Sequence, residues 1–108
     1  MKHAIFLFAL IASVSLAACE APVIEPELKI ERLASVNLSD ESARKYQEFR
    51  EIATVYSAMY VTTDGIGGGR AWGYSSLEES KRLALGECRK FNSGRSCILY
   101  AVAVPTNE

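Results

Sequence analysis

Apolar and polar residues alternate with a helical period in the stretch 40–52. Ser39 and Asp40 are typical of a helix N-terminus, and good helix formers follow them. One apolar stripe recurs at three- and four-residue spacing: Ala43, Tyr46, Phe49 and Ala53. The pattern predicts a first helix with one buried face.

The next two apolar segments have the composition of strands. Residues 54–62 are rich in β-branched and aromatic side chains, and residues 70–74 form a shorter segment of the same kind. Between them, residues 64–69 hold an aspartate and four glycines, which is turn chemistry. The two segments are therefore predicted to form a hairpin.

A second helix and a last strand follow. Ser76 and Glu79 match the capping box, which predicts a helix from Leu77 to Phe91, stopped by the Asn-Ser-Gly of residues 92–94. Residues 96–104 predict a third strand. The expected fold is a small α+β domain over residues 39–108, a helix followed by β-β-α-β with a three-stranded sheet.

The last strand is apolar on both faces. One side would carry Cys97, Leu99, Ala101 and Ala103, and the other Ile98, Tyr100, Val102 and Val104. If Cys97 bonds Cys88, the first set faces the second helix. Ala71 and Gly73 would then lie under that helix, and Gly86 would permit close approach.

This face assignment leaves aromatic residues on the opposite side of the sheet, some of them depending on register. They are Trp72, Tyr74, Tyr100, Tyr56 and Tyr60. Two interpretations follow: the first helix covers them with Tyr46 and Phe49, or they form an exposed surface. An exposed surface would bind a partner protein, peptide or glycan, or pair two copies of the chain.

The start of the chain has the layout of an export signal. Lys2 precedes an apolar run over residues 4–12, which is shorter than the roughly 20 residues of a membrane span. Residues 20–27 carry two prolines and predict an extended tether. Residues 28–38 fit neither period, so they predict either a short edge strand or a lead-in packed on the domain.

The signal ends in Leu16-Ala17-Ala18-Cys19, which closely resembles the lipobox of bacterial lipoproteins. The resemblance implies cleavage before Cys19, acylation of Cys19 and anchoring in a lipid bilayer. The alternatives are a plain exported protein or an uncleaved anchor, in which Cys19 is incidental. Residues 1–18 would be the signal peptide and residues 19–38 the lipidated N-terminus and tether. An aspartate directly after the cysteine would resemble a signal for retention in the inner membrane. Glu20 stands at that position instead, which favours the outer membrane facing the periplasm.

Composition excludes several classes of function. The formal net charge is −1 and no basic stripe occurs, so nucleic acid is not an expected partner. The single histidine, His3, lies in the signal, which excludes Ser-His-Asp and Cys-His catalysis and a histidine metal site. No metal or other cofactor is expected.

With Cys19 acylated, two cysteines remain. Cys88 and Cys97 are too few for a Cys₄ metal site and have the wrong spacing for a C-x-x-C redox centre. In an oxidising compartment the default is a structural disulfide. Closing a loop of about 10 residues constrains the unfolded chain by roughly 2–3 kcal/mol.

Three short segments resemble functional motifs but lack the residues or the arrangement that those motifs require. Arg70 stands where the third glycine of G-x-G-x-x-G belongs, so residues 65–69 predict a mobile hairpin tip or a loop that contacts a partner. Residues 42–45 match S-x-x-K, but its companion motifs are missing and a solvated helix face is expected. Glu78 and Glu79 are adjacent and are explained by capping. No catalytic residue is assigned.

The C-terminal part also resembles a bacterial family of small exported domains, domain of unknown function 4189. The matching positions are Trp72-Gly73, Ser76 with Glu79, Ala84-Leu85, Cys88 and Cys97-Ile98. The sequence departs from the family at Ser80, where alanine is usual, and lacks further cysteines. The resemblance implies export and the Cys88–Cys97 disulfide, but no established activity.

These observations predict an envelope lipoprotein that acts as a non-catalytic binding module, with an envelope protein or glycan as a possible partner. One alternative is a small envelope hydrolase, active on peptidoglycan or another glycan, that uses two carboxylates. The other is a structural assembly subunit. A cleft in which two acids converge would favour the hydrolase. Whether the aromatic face is open in the isolated domain would distinguish the assembly subunit from the other two interpretations.

Overall fold

Both predicted helices are confirmed by the computed structural model, which describes residues 27–107. Helix α1 is Asp40–Ile52, and the Ser39 hydroxyl accepts a hydrogen bond from the Ser42 amide at 3.1 Å. Helix α2 is Leu77–Phe91, with the Ser76 hydroxyl accepting from the Glu79 amide at 3.2 Å. Both helices therefore begin at side-chain caps that satisfy otherwise unpaired amides.

Within residues 27–107 the sheet has four antiparallel strands, one more than predicted. The strands are β1 (Leu28–Arg32), β2 (Ser57–Thr62), β3 (Gly68–Ala71) and β4 (Cys97–Pro105). They lie in the order β1-β4-β2-β3, so the chain runs β-α-β-β-α-β. The α+β class holds, whereas the three-stranded sheet and the helix-first order are wrong.

The additional strand, β1, lies in the segment whose structure the sequence left open. Leu28 pairs with Pro105 and Arg32 with Ala101, and the Leu33 amide then donates to the Tyr100 carbonyl at 2.7 Å. Ala34, Val36 and Leu38 pack against the core. Both alternatives therefore occur in succession, a strand followed by a packed lead-in. The predicted signal peptide, Cys19 and residues 20–26 lie outside the described residues.

A β-bulge in β4 corrects the predicted faces of that strand. Met59 pairs with Ala101 and Tyr60 with Leu99, which leaves Tyr100 as the extra residue. Beyond the bulge the alternation shifts by one position, because the side-chain period of a strand is two. Ala101 and Ala103 therefore lie toward α1, and Val102 and Val104 toward α2.

One helix covers each face of the sheet. The cluster on the α1 side contains Phe49, Met59, Val61, Tyr100, Ala101 and Ala103. The cluster on the α2 side contains Ala58, Ala71, Ala84, Val102 and Val104. Their small side chains let α2 lie close to the sheet, and burial of both faces supplies the main stabilising free energy.

Helix α2 approaches the sheet closely at Gly69. A Cβ atom there would collide with the Ala84 carbonyl and the Cys88 amide of α2. The prediction that Gly86 permits this approach is wrong, because a Cβ at Gly86 would meet nothing within 4 Å. The predicted disulfide between Cys88 and Cys97 is present, with an S–S distance of 2.11 Å, and joins α2 to the start of β4.

Candidate functional site

Two of the five predicted aromatic surface residues lie under α1. Tyr100 is 4% exposed and meets Tyr46 edge to face, with ring centroids 5.0 Å apart. Trp72 stacks on Phe49 at 5.3 Å. The structure therefore shows the covered arrangement at this point and not an open aromatic face.

The other three aromatic residues are dispersed. Tyr60 packs in the α2-side cluster, on the opposite face of the sheet. Tyr56 precedes β2 with a φ of 62°, and its carbonyl accepts a hydrogen bond from the Ser80 hydroxyl. Tyr74 is 42% exposed, beyond the end of β3. The expectation of one shared surface is corrected, because the bulge and the two helices separate its members.

The glycine-rich turn is held by a compact set of hydrogen bonds. The Thr62 hydroxyl donates to Asp64 Oδ1 at 2.5 Å, and the Ile66 amide donates to the same oxygen at 3.2 Å. These two bonds, the first being the larger cause, and the Arg95 guanidinium 3.3 Å from Oδ2 lower the pKa of Asp64 from its ordinary value. The carboxylate therefore organises the turn.

The same turn is fastened to the elements around it. The Ser39 amide donates to the Gly65 carbonyl at 2.9 Å, and the Ser42 hydroxyl donates to the Ile66 carbonyl at 3.0 Å. Ser42 is buried, so the serine of the S-x-x-K match connects α1 to the turn and does not lie on a solvated face. At the end of α2, Asn92 Nδ2 donates to the Gly68 carbonyl at 3.4 Å as well as to the Cys88 carbonyl at 2.8 Å, which connects the glycine-rich segment to the helix.

A cleft of about 710 Å³ lies between β1 and α1. Its lining residues are Ile30, Arg32, Tyr46, Gln47, Arg50 and Glu51. Residues two apart in a strand share a face, which brings Ile30 and Arg32 together. Residues four apart share a helix face, which brings Tyr46 and Arg50 together on the opposite wall.

The chemistry of this cleft is dominated by hydrogen-bond donors. Within residues 27–107, neither Arg32 nor Arg50 forms an ion pair. The single carboxylate of the lining, Glu51, accepts a hydrogen bond from Gln47 Nε2 at 3.4 Å. Sequence reasoning missed this site, because two of its six lining residues, Ile30 and Arg32, come from a strand that has no clear periodic pattern.

A second cleft of about 360 Å³ follows the outer edge of β3. It is lined by Arg70, Ala71, Trp72, Tyr74, Leu83 and Glu87. Arg70 forms an ion pair with Glu48 at 2.8 Å, and its guanidinium lies 5.2 Å from the Trp72 ring centroid. Its positive charge is thus already partnered within the fold.

Over residues 27–107 no three histidine, cysteine or acidic residues are grouped as a metal site, and no helix there is long and apolar enough to cross a membrane. In comparisons with known proteins, the chain matches no family model, no curated protein and no solved structure. The functional argument therefore depends on the chemistry of the chain itself.

Proposed function

We propose that this chain is a lipid-anchored protein of the bacterial envelope whose domain is a non-catalytic binding module. The lipobox-like Leu16–Cys19 supports the anchor and export. The Cys88–Cys97 disulfide fits an oxidising compartment, where such bonds persist. Placement in the outer membrane and the likeness to domain of unknown function 4189 are part of the same proposal.

The cleft between β1 and α1 is the observation that carries the binding function. Its volume of about 710 Å³ lies in the range of small-molecule sites. It combines apolar surface from Ile30 and Tyr46 with donors from two arginines that have no ion-pair partner in the described chain. Such a mixture of an apolar wall and a few polar groups suits recognition of a ligand.

The carboxylate arrangement supports binding over glycoside hydrolysis. A glycosidase places two carboxyl groups roughly 5–10 Å apart across a cleft. Among the described residues, the cleft between β1 and α1 is lined by one carboxylate, Glu51, and the cleft along β3 by one, Glu87. Glu78 forms an ion pair with Lys81 at 3.3 Å, and Glu79 accepts from the Ser75 hydroxyl, so both have structural partners outside these clefts.

The anchor is tested by intact-mass analysis of the protein extracted from membranes in detergent. We expect loss of residues 1–18, acyl chains on Cys19 and, without reductant, a closed Cys88–Cys97 bond. Cys19→Ala is the matched control and should leave the membrane fraction without acylation. A retained leader or a free Cys19 thiol in the wild-type protein would contradict the proposal.

A further inference from the structure

We propose that the cleft between β1 and α1 binds an anionic ligand that presents carboxylate or phosphate oxygens to Arg32 and Arg50. This inference rests on the proposed binding function and names its ligand class. The guanidinium group donates hydrogen bonds from a planar fork that matches both kinds of oxygen anion. Two such groups in one cleft suit a ligand with two anionic groups or a doubly charged one.

The strand alternation leaves Arg32 without a nearby counter-charge on β1. Lys29 and Glu31 are paired with each other at 2.8 Å and lie on the other face of the strand. Glu31 is therefore already engaged and points away from Arg32. A ligand in the cleft would meet the Arg32 charge directly.

The cleft is distinct because both of its cations are unpaired. Lys45, Lys81 and Arg95 each have a carboxylate partner within 4.0 Å, and Arg70 is paired with Glu48. Four further cations of residues 27–107 also lack an ion pair, but none of them lines a cleft described above: Arg44, Arg82, Arg89 and Lys90. The cleft is thus where two unpaired arginines share one concave surface.

The apolar lining of the cleft indicates which chemical groups the ligand carries besides its anionic groups. Ile30 and Tyr46 both pack against the α1-side core, and Tyr46 is further held edge-on by Tyr100. These side chains form a wall that needs no rearrangement before binding, which lowers the entropic cost of association. The ligand should therefore carry an apolar or ring portion beside its anionic groups.

The test uses the full acylated protein in nanodiscs of neutral phosphatidylcholine. Inorganic phosphate and citrate are titrated separately, and binding is followed through the arginine side-chain Nε–Hε NMR signals. We expect saturable shifts at Arg32 and Arg50. Arg32→Gln and Arg50→Gln should each weaken binding about tenfold, because each removes a charged hydrogen bond worth about 1.5 kcal/mol or more.

Two matched variants separate a specific site from general attraction. Arg44→Gln removes the same charge from the same helix outside the cleft and should leave affinity within about twofold. Glu51→Gln removes the one negative charge of the lining and should tighten binding about two- to threefold. Equal weakening by Arg44→Gln and Arg32→Gln, or no saturable shift with either anion or with anionic lipid, would overturn the inference.

A second arm distinguishes a lipid headgroup from a soluble anion. Nanodiscs containing phosphatidylglycerol should shift the Arg32 and Arg50 signals without added anion if the headgroup is the source, and phosphate should then compete. Unchanged signals in these discs, with saturable binding of citrate or phosphate, would assign a soluble ligand. Loss of all binding in a protein whose Cys19 is acylated would overturn the ligand class and leave the anchor intact.

Discussion

The Ser57 hydroxyl joins two separate segments through three hydrogen bonds. It accepts from the amides of Thr54 and Gly73, each at 3.2 Å, and donates to the Thr54 carbonyl at 2.8 Å. Ser57 is fully buried, so these bonds replace the water that its hydroxyl would otherwise contact. A single side chain therefore sets where β2 begins and fixes the backbone next to Trp72.

Gly65 illustrates a backbone requirement that no other residue meets. Its φ is +76°, and a Cβ there would overlap the Asn37 carbonyl. We expect Gly65→Ala to lower the free energy of unfolding by at least about 2 kcal/mol, from strain and collision together.

Gly94→Ala is the control for this measurement. Gly94 also has a positive φ, +80°, but a Cβ there would meet nothing within 4 Å. It should cost only the left-handed strain, about 1 kcal/mol. Urea unfolding measures the free energy of unfolding of both variants. An equal decrease for the two would contradict a collision between a Cβ at position 65 and the Asn37 carbonyl.

The lowered pKa of Asp64 predicts a pH dependence of stability. Because the folded-state pKa lies below the ordinary value of 3.8, the carboxylate stabilises the fold at pH values above that value. This contribution is lost as the pH falls through the folded-state pKa. Unfolding measured from pH 6 down to pH 2 should show a steeper loss below about pH 4 in the wild type than in Asp64→Asn. The same pH dependence of stability in the wild type and in Asp64→Asn would contradict this prediction.

At the scale of elements, α1 determines which aromatic side chains reach solvent. Phe49 is fully buried and stacks on Trp72, and Tyr46 meets Tyr100 edge to face. The stripe on α1 predicted these two helix residues from spacing alone. Which strand residues they would cover depended on the bulge at Tyr100, and an extra residue in a strand leaves no mark in a hydrophobic pattern.

Trp72 and Tyr74 should therefore respond differently to truncation. Trp72→Ala removes the ring stacked on Phe49 and should destabilise the domain by about 2–3 kcal/mol. Tyr74→Ala, at a 42% exposed position, should change stability by no more than about 0.5 kcal/mol. Thermal unfolding of both variants provides the measurement. A large loss for Tyr74→Ala would show that its ring is not free at the surface.

At the scale of the molecule, the sheet is completed by a strand from the predicted tether. β1 covers one edge of β4, and the lead-in brings Ala34, Val36 and Leu38 onto the α1-side core. The α1–β1 cleft exists only because this early segment folds back across the sheet. The candidate ligand site and the stability of the domain therefore depend on the same dozen residues.

Shortening the chain tests this dependence. A chain of residues 39–108 lacks β1 and the lead-in, and we expect it to lose at least about 3 kcal/mol relative to residues 27–108, from lost apolar burial. Circular dichroism during urea unfolding compares the two. Equal midpoints would show that residues 27–38 contribute little to the fold.

The sequence by itself determined both helices and the pairing of the hairpin strands, because periodicity and capping residues act over short distances, although the second strand is Gly68–Ala71 and not residues 70–74. It also determined the disulfide, from the number of cysteines and an oxidising compartment. Tertiary structure alone decided the role of residues 28–38, the faces of β4 beyond Tyr100 and the cleft holding Arg32 and Arg50. Strand pairing and bulges are settled by contacts between residues far apart in the chain. A local sequence pattern does not indicate those contacts, and they are seen only in the folded sheet.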